Sequence, residues 1–291
     1  GLQVSLRTDV FQMAVFLVIF SIAFIYMIFG SDFSFNSILQ STGVHEQAAR
    51  PGYVLIYVAL LQVFSYPAHD PVMMDRGFIA NQNKTNYSFI LAFLLSTFCI
   101  FGFGMFGIQA GLIGYAYENQ LLGTWQNMFG PGVYFLLICS LLVSAMSTLD
   151  SALASSARLV IDEFYIFKRS IKNGRIAMST FMAFGLLFTL FPSQSLFDAV
   201  AVTGTASMFL TPVMIVTFLG GKIPIWAYTI TWFFSMIGAF AYIFRDIETI
   251  TYLLPGLHKY DQLLSICLYI IVFGFCICFI GALSNRFLAK A

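Results

Sequence analysis

Charge is what this 291-residue chain has least of: 9% of its residues are Asp, Glu, Lys or Arg, against 59% hydrophobic ones. Its mean hydropathy is +0.87. A water-soluble domain of this length does not reach such values, so the composition describes a multi-pass integral membrane protein, expected in a plasma (inner) membrane. A net charge of +1 carries no signal for nucleic acid, and none is expected as a partner. Histidine is scarce, with three in all. His69 adjoins Asp70, yet no third ligand or nucleophile stands near them in sequence, so an enzyme is not expected. The five cysteines (Cys99, Cys139, Cys267, Cys276, Cys278) all lie in apolar segments. That is the placement of small buried hydrophobes; it implies neither a disulfide framework nor a metal knuckle. No second domain, low-complexity tract or signal peptide is visible, and Gly1 in place of Met suggests that the chain does not begin at a natural start.

What is present is a series of apolar stretches. Eight spans of about 20 or more residues can be drawn, close to the length that crosses a bilayer. They run from about 8 to 29, 53 to 79, 87 to 115, 131 to 165, 176 to 191, 196 to 219, 225 to 244 and 263 to 288. The expected fold is all-α, an integral membrane domain covering 1–291. Lysine and arginine set its orientation. If the first span enters from the cytoplasm, Arg7, Arg76, Lys84, Lys168, Arg169, Lys172, Arg175, Lys222, Arg286 and Lys290 share that side. Arg50, Arg245 and Lys259 are left on the other.

The stretch 141–165, LLVSAMSTLDSALASSARLVIDEFY, carries hydroxyls at Ser144, Ser147, Thr148, Ser151 and Ser155. At about 100° per residue all five fall on one helix face, and Arg158 and Asp162 continue the stripe. Hydroxyls aligned inside hydrocarbon need another helix, water or a cation as partner. Neutral oxygen donors suit a hard ion of low charge, and no carboxylate or thiolate shares that face at the same depth. Close helix packing accounts for small polar residues equally well. Arg158 and Asp162, four residues apart, can pair with each other near the cytoplasmic mouth.

The segment Met146–Tyr165, MSTLDSALASSARLVIDEFY, resembles the sodium-ligand helix of the sodium:solute symporter family. Gly1–Met13, GLQVSLRTDVFQM, is similar to that family's Gly-Gly-Leu…Trp-Thr-Asp-x-x-Gln signature, with Arg7 in place of the usual aromatic. The resemblance implies a leucine-transporter-type inverted-repeat fold. The first span would be the last helix of repeat one, spans two to six all of repeat two, and the last two peripheral helices. On that plan the helices of repeat one that complete the sites are absent, and the chain is an N-terminally incomplete transporter domain.

The resemblance further implies sodium-coupled symport of a small organic solute across the lipid bilayer by alternating access. Sodium would be held by the hydroxyls of Ser147 and Thr148 and the carbonyl of Ser144. Asp9 matches an acid on the ion-exit path, although an acid in the first turn of a helix also meets the macrodipole favourably. The second span would line the solute cavity through Gln62, Ser65, Tyr66, His69 and Asp70. Its prolines, Pro67 and Pro71, each remove a backbone donor and break the helix at mid-membrane. A carboxylate at Asp70 suggests a solute bearing a positively charged nitrogen. The alternative within the same fold is a non-transporting sensor module linked to signalling.

Overall fold

The computed structural model describes residues 2–30, 32–41, 51–66, 70, 72–73, 77, 80–114, 121–189, 196–256 and 258–288. His69, Pro67, Pro71 and Arg76 lie outside these residues. Among the described residues the secondary structure is helical, with no strand. The elements are α1 (Leu2–Ile28), α2 (Phe35–Gln40), α3 (Pro51–Val63), α4 (Gln82–Leu112) and α5 (Leu121–Met128). Then come α6 (Pro131–Arg158), a π-helical turn (Leu159–Glu163), α7 (Ile171–Thr189), α8 (Leu196–Ser207) and α9 (Leu210–Phe218). The last three are α10 (Ile225–Ile243), α11 (Glu248–Leu253) and α12 (Lys259–Leu288).

Among the described residues six segments are long and apolar enough to cross a membrane: Thr8–Ile28, Gln82–Leu112, Pro131–Glu163, Phe197–Phe218, Ile225–Ile243 and Lys259–Asn285. These correspond to six of the eight expected spans. Of the other two, the second is described as a 13-residue helix, α3, up to Val63, and most of its expected course from there to 79, with Pro67 and Pro71, lies outside the described residues. The fifth forms α7 over 19 residues, but its first turn carries Lys172, Asn173 and Arg175 and dilutes its apolar character. Segment ends follow local chemistry. Asn81 caps α4 by accepting from the Lys84 amide at 3.0 Å, and Pro131 occupies the first turn of α6, where its missing donor costs nothing. At the end of α9, Gly220 adopts φ +82°, a conformation that a side chain would strain.

The chain clusters into two compact units interleaved in sequence, residues 1–44 with 71–192 and residues 45–70 with 193–291. In the first unit α1 lies along α6, and the core between them and α4 is aromatic. Phe20 is 1% exposed and its ring sits 5.0 Å from Phe103, while Phe106 meets Phe129 edge-on at 5.3 Å. Met27 joins this core beside Leu137 and Phe129, whereas Asp9 meets Ser147, so α1 and α6 run antiparallel. In the second unit α10 and α12 pack through small residues. A Cβ at Gly238 would meet Ile270 at 2.7 Å, and one at Gly281 would meet Ala227 at 2.8 Å. Close backbone approach of this kind is how helices associate where lipid removes any hydrophobic drive between them. The cysteines are all free: Cys267 and Cys278 are buried, Cys99 and Cys139 half-buried, and Cys276 is exposed on the apolar segment Lys259–Asn285.

Candidate functional site

The hydroxyl stripe of α6 turns toward α1. Ser147 donates to Oδ1 of Asp9 at 2.6 Å, and Ser151 donates to Oδ2 of the same carboxylate at 3.4 Å. The face of α6 thus carries no acid of its own, as its sequence indicates, but α1 supplies one. Ser151 and Ser155 are buried, Ser147 and Asp9 half-buried, and Ser144 and Thr148 exposed. Thr148 donates its hydroxyl to the Ser144 carbonyl at 3.1 Å, the turn-back bond that a hydroxyl makes when it lies over its own helix. The three oxygens expected to ligate sodium all belong to neighbouring turns of α6. Two belong to this i, i+4 pair, and the third is held by Asp9. One turn beyond Asp9, Oε1 of Gln12 is buried and meets no donor. An acceptor in that condition is costly unless a hydrogen-bond donor, a water or a cation reaches it.

Depth follows from helix rise. Asp9 stands 18 residues before Met27 and Ser147 stands 16 after Pro131, about 24–27 Å along antiparallel helices. A hydrocarbon core of about 30 Å is spanned by such a length, so the carboxylate lies near one end of the apolar segment Thr8–Ile28 rather than at its middle. Just beyond, the chain widens into the π-helical turn, closed by a Phe164 N–H to Leu159 carbonyl bond of 2.9 Å. Tyr165 follows at φ 53°, unusual for a residue with a side chain. Asp162 lies 4.0 Å from Arg158 as its spacing suggests, and Arg169 joins it at 3.7 Å.

The residues expected to meet solute are placed differently from one another. Gln62 sits inside the second unit. Its amide donates to the Ala201 carbonyl at 3.2 Å and to the Thr205 hydroxyl at 3.0 Å. Ser65, 0% exposed, donates to the Gln62 carbonyl at 3.1 Å and lies 3.5 Å from the Ser207 hydroxyl. Both spend polar groups joining α3 to α8. Tyr66 is exposed and its phenol bonds the carboxylate of Asp70, which is half-buried. The partner of Asp70 is thus four residues back, the spacing at which helical neighbours meet.

Sequence reading missed a third polar group in the second unit. Asp198, 7% exposed, accepts from the Tyr242 phenol at 2.8 Å and lies 3.4 Å from Arg245, whose guanidinium covers the Tyr242 ring at 4.5 Å. The available signal was an acid in the first turn of one span and an arginine at the end of another; nothing local said that the two ends meet. Among the described residues no group of three or more His, Cys, Asp or Glu could hold a metal ion. The cation-seeking oxygens of the first unit are hydroxyls, carbonyls and one carboxylate, a set suited to a hard ion of low charge. No family model, curated protein or solved structure matches the chain.

Proposed function

We propose that this chain forms the ion-coupled part of a secondary transporter that carries a small organic solute together with sodium. The observation that supports the reading best is the carboxylate of Asp9 held by Ser147 and Ser151 at the junction of two spans. Beside it stand the exposed Thr148–Ser144 pair and the unmet oxygen of Gln12. The two motifs that resemble the sodium:solute symporter family fall on these same two helices, and Gln12 belongs to the first of them.

The chemistry suits reversible capture. A serine hydroxyl donates only one proton, and its lone pairs stay open to a cation. Sodium entering at Thr148, Ser144 and Ser147 would compete with the serines for the field of Asp9. Nothing in that exchange requires burying a bare charge. Because the oxygens come from two helices, cation occupancy favours whichever arrangement brings α1 and α6 together. Linkage then requires the solute to feel the same preference if it too favours that arrangement. For the solute we infer the broken end of α3, where Tyr66 and Asp70 stand, with an ammonium-bearing molecule replacing the phenol at the carboxylate.

The test is sodium-dependent solute uptake and sodium binding by the intact protein in proteoliposomes, wild type against Ser147→Ala/Thr148→Ala. Half-saturating sodium should rise by a decade or more. An unchanged sodium dependence would return the hydroxyl stripe to helix packing.

A further inference from the structure

A cleft of about 620 Å³ opens in the second unit between α10, α11 and α12. Phe234, Ile237, Ala241 and Phe244 form one wall, Ile270 stands opposite, and Leu253 of α11 covers the end nearest the connection 244–258. We propose that this cleft holds one acyl chain of a bilayer lipid, drawn from the leaflet that borders that connection.

Length is the first reason. From Phe234 to Phe244 is ten residues, about 15 Å of helix rise. The hydrocarbon core is about 30 Å thick, so the cleft runs the depth of one leaflet. Its lining along α10 begins at Phe234, which stacks on Phe273 with ring centroids 4.0 Å apart. A transmembrane helix from another chain would need a groove running the whole core. A lipid tail needs half of one.

The second reason is chemistry. The walls are hydrocarbon except for Tyr269, and water in such a space would find too few polar partners to stay. Protein interiors do not tolerate voids of this size, because the lining atoms would lose their contacts. The connection after Phe244 is polar at once: Asp246 and Glu248 are exposed, and Tyr252 is 91% exposed. Charged groups and an exposed tyrosine are what a lipid–water boundary selects. The tail therefore has a polar end at which its headgroup can remain in water.

Native mass spectrometry of the intact protein, purified from bilayers of defined phosphatidylethanolamine and phosphatidylglycerol content, tests the assignment. The wild type should carry one retained phospholipid per chain. Ala241→Phe and Ile237→Trp, which fill the cleft from two positions, should each lose it while unfolding at the wild-type temperature. Ile230→Phe, on α10 but outside the cleft, should keep it. A wild type without retained lipid overturns the proposal by itself. So does an adduct that survives in whichever filled variant folds, and so does a wild-type dimer that Ala241→Phe dissolves, since the cleft would then be an interface with a second copy.

Discussion

Two acids stand near the first turns of two spans, and their surroundings assign them opposite tasks. Asp198, in the second unit, is buried against a guanidinium and a phenol, with side-chain exposures of 10% for the acid and 14% for Arg245. Asp9, in the first unit, is half-buried and its two oxygens accept from two serine hydroxyls. A guanidinium answers a carboxylate with a full charge and does not leave. A hydroxyl answers it with one hydrogen bond and can be displaced by a cation. The difference is between an acid that ties α8 to α10 and one that can exchange its partners. Composition alone does not separate them.

The comparison breaks most visibly at Asp198. Replacing it by Ala leaves Arg245 buried without its counter-charge, which should cost about 3–5 kcal/mol. Thermal unfolding in detergent should show a large fall. A variant that unfolds like wild type would mean that Arg245 finds another anion or reaches water.

Asp9→Asn sharpens the contrast. The amide keeps its hydrogen-bonding capacity, so unfolding should shift by no more than about 1 kcal/mol, the worth of one ordinary hydrogen bond. Sodium, losing a charge-assisted contact of about 1.5–3 kcal/mol, should bind at least tenfold more weakly. Equal loss of stability for Asp9→Asn and Asp198→Asn would erase the distinction.

Gln62→Leu asks whether the α3 end belongs to packing or to solute. Its amide lies between the Ala201 carbonyl and the Thr205 hydroxyl, but Thr205 already donates to that carbonyl at 2.7 Å. The expected loss is therefore about 1 kcal/mol. Solute affinity should follow Tyr66 and Asp70 instead, and a large fall in uptake at unchanged stability would put Gln62 in the solute site.

The smallest effect belongs to Arg169, whose side chain is 88% exposed where it meets Asp162. Arg169→Ala should change unfolding by less than about 1 kcal/mol, because solvent screens exposed pairs. A shift in transport without a shift in stability would give the pair a role at the mouth of the first unit.

Much of the fold was legible in the sequence because lipid imposes a simple rule: a segment that crosses must be long, apolar and helical. Six spans, the capped start at Asn81 and the proline-opened α6 follow from local sequence. So does the common face of Ser144, Ser147, Thr148, Ser151 and Ser155, since helical periodicity alone lines them up. The helix of α7 over the expected fifth span follows from the same rule, with its polar first turn at Lys172, Asn173 and Arg175. Tertiary structure alone decided which partner each polar group meets. That Asp9 faces Ser147, 138 residues away, and that Asp198 faces Tyr242 and Arg245, depends on which helices lie side by side. Helical periodicity determines the direction a side chain leaves its own axis; only the packing of spans of similar hydropathy determines what it finds there.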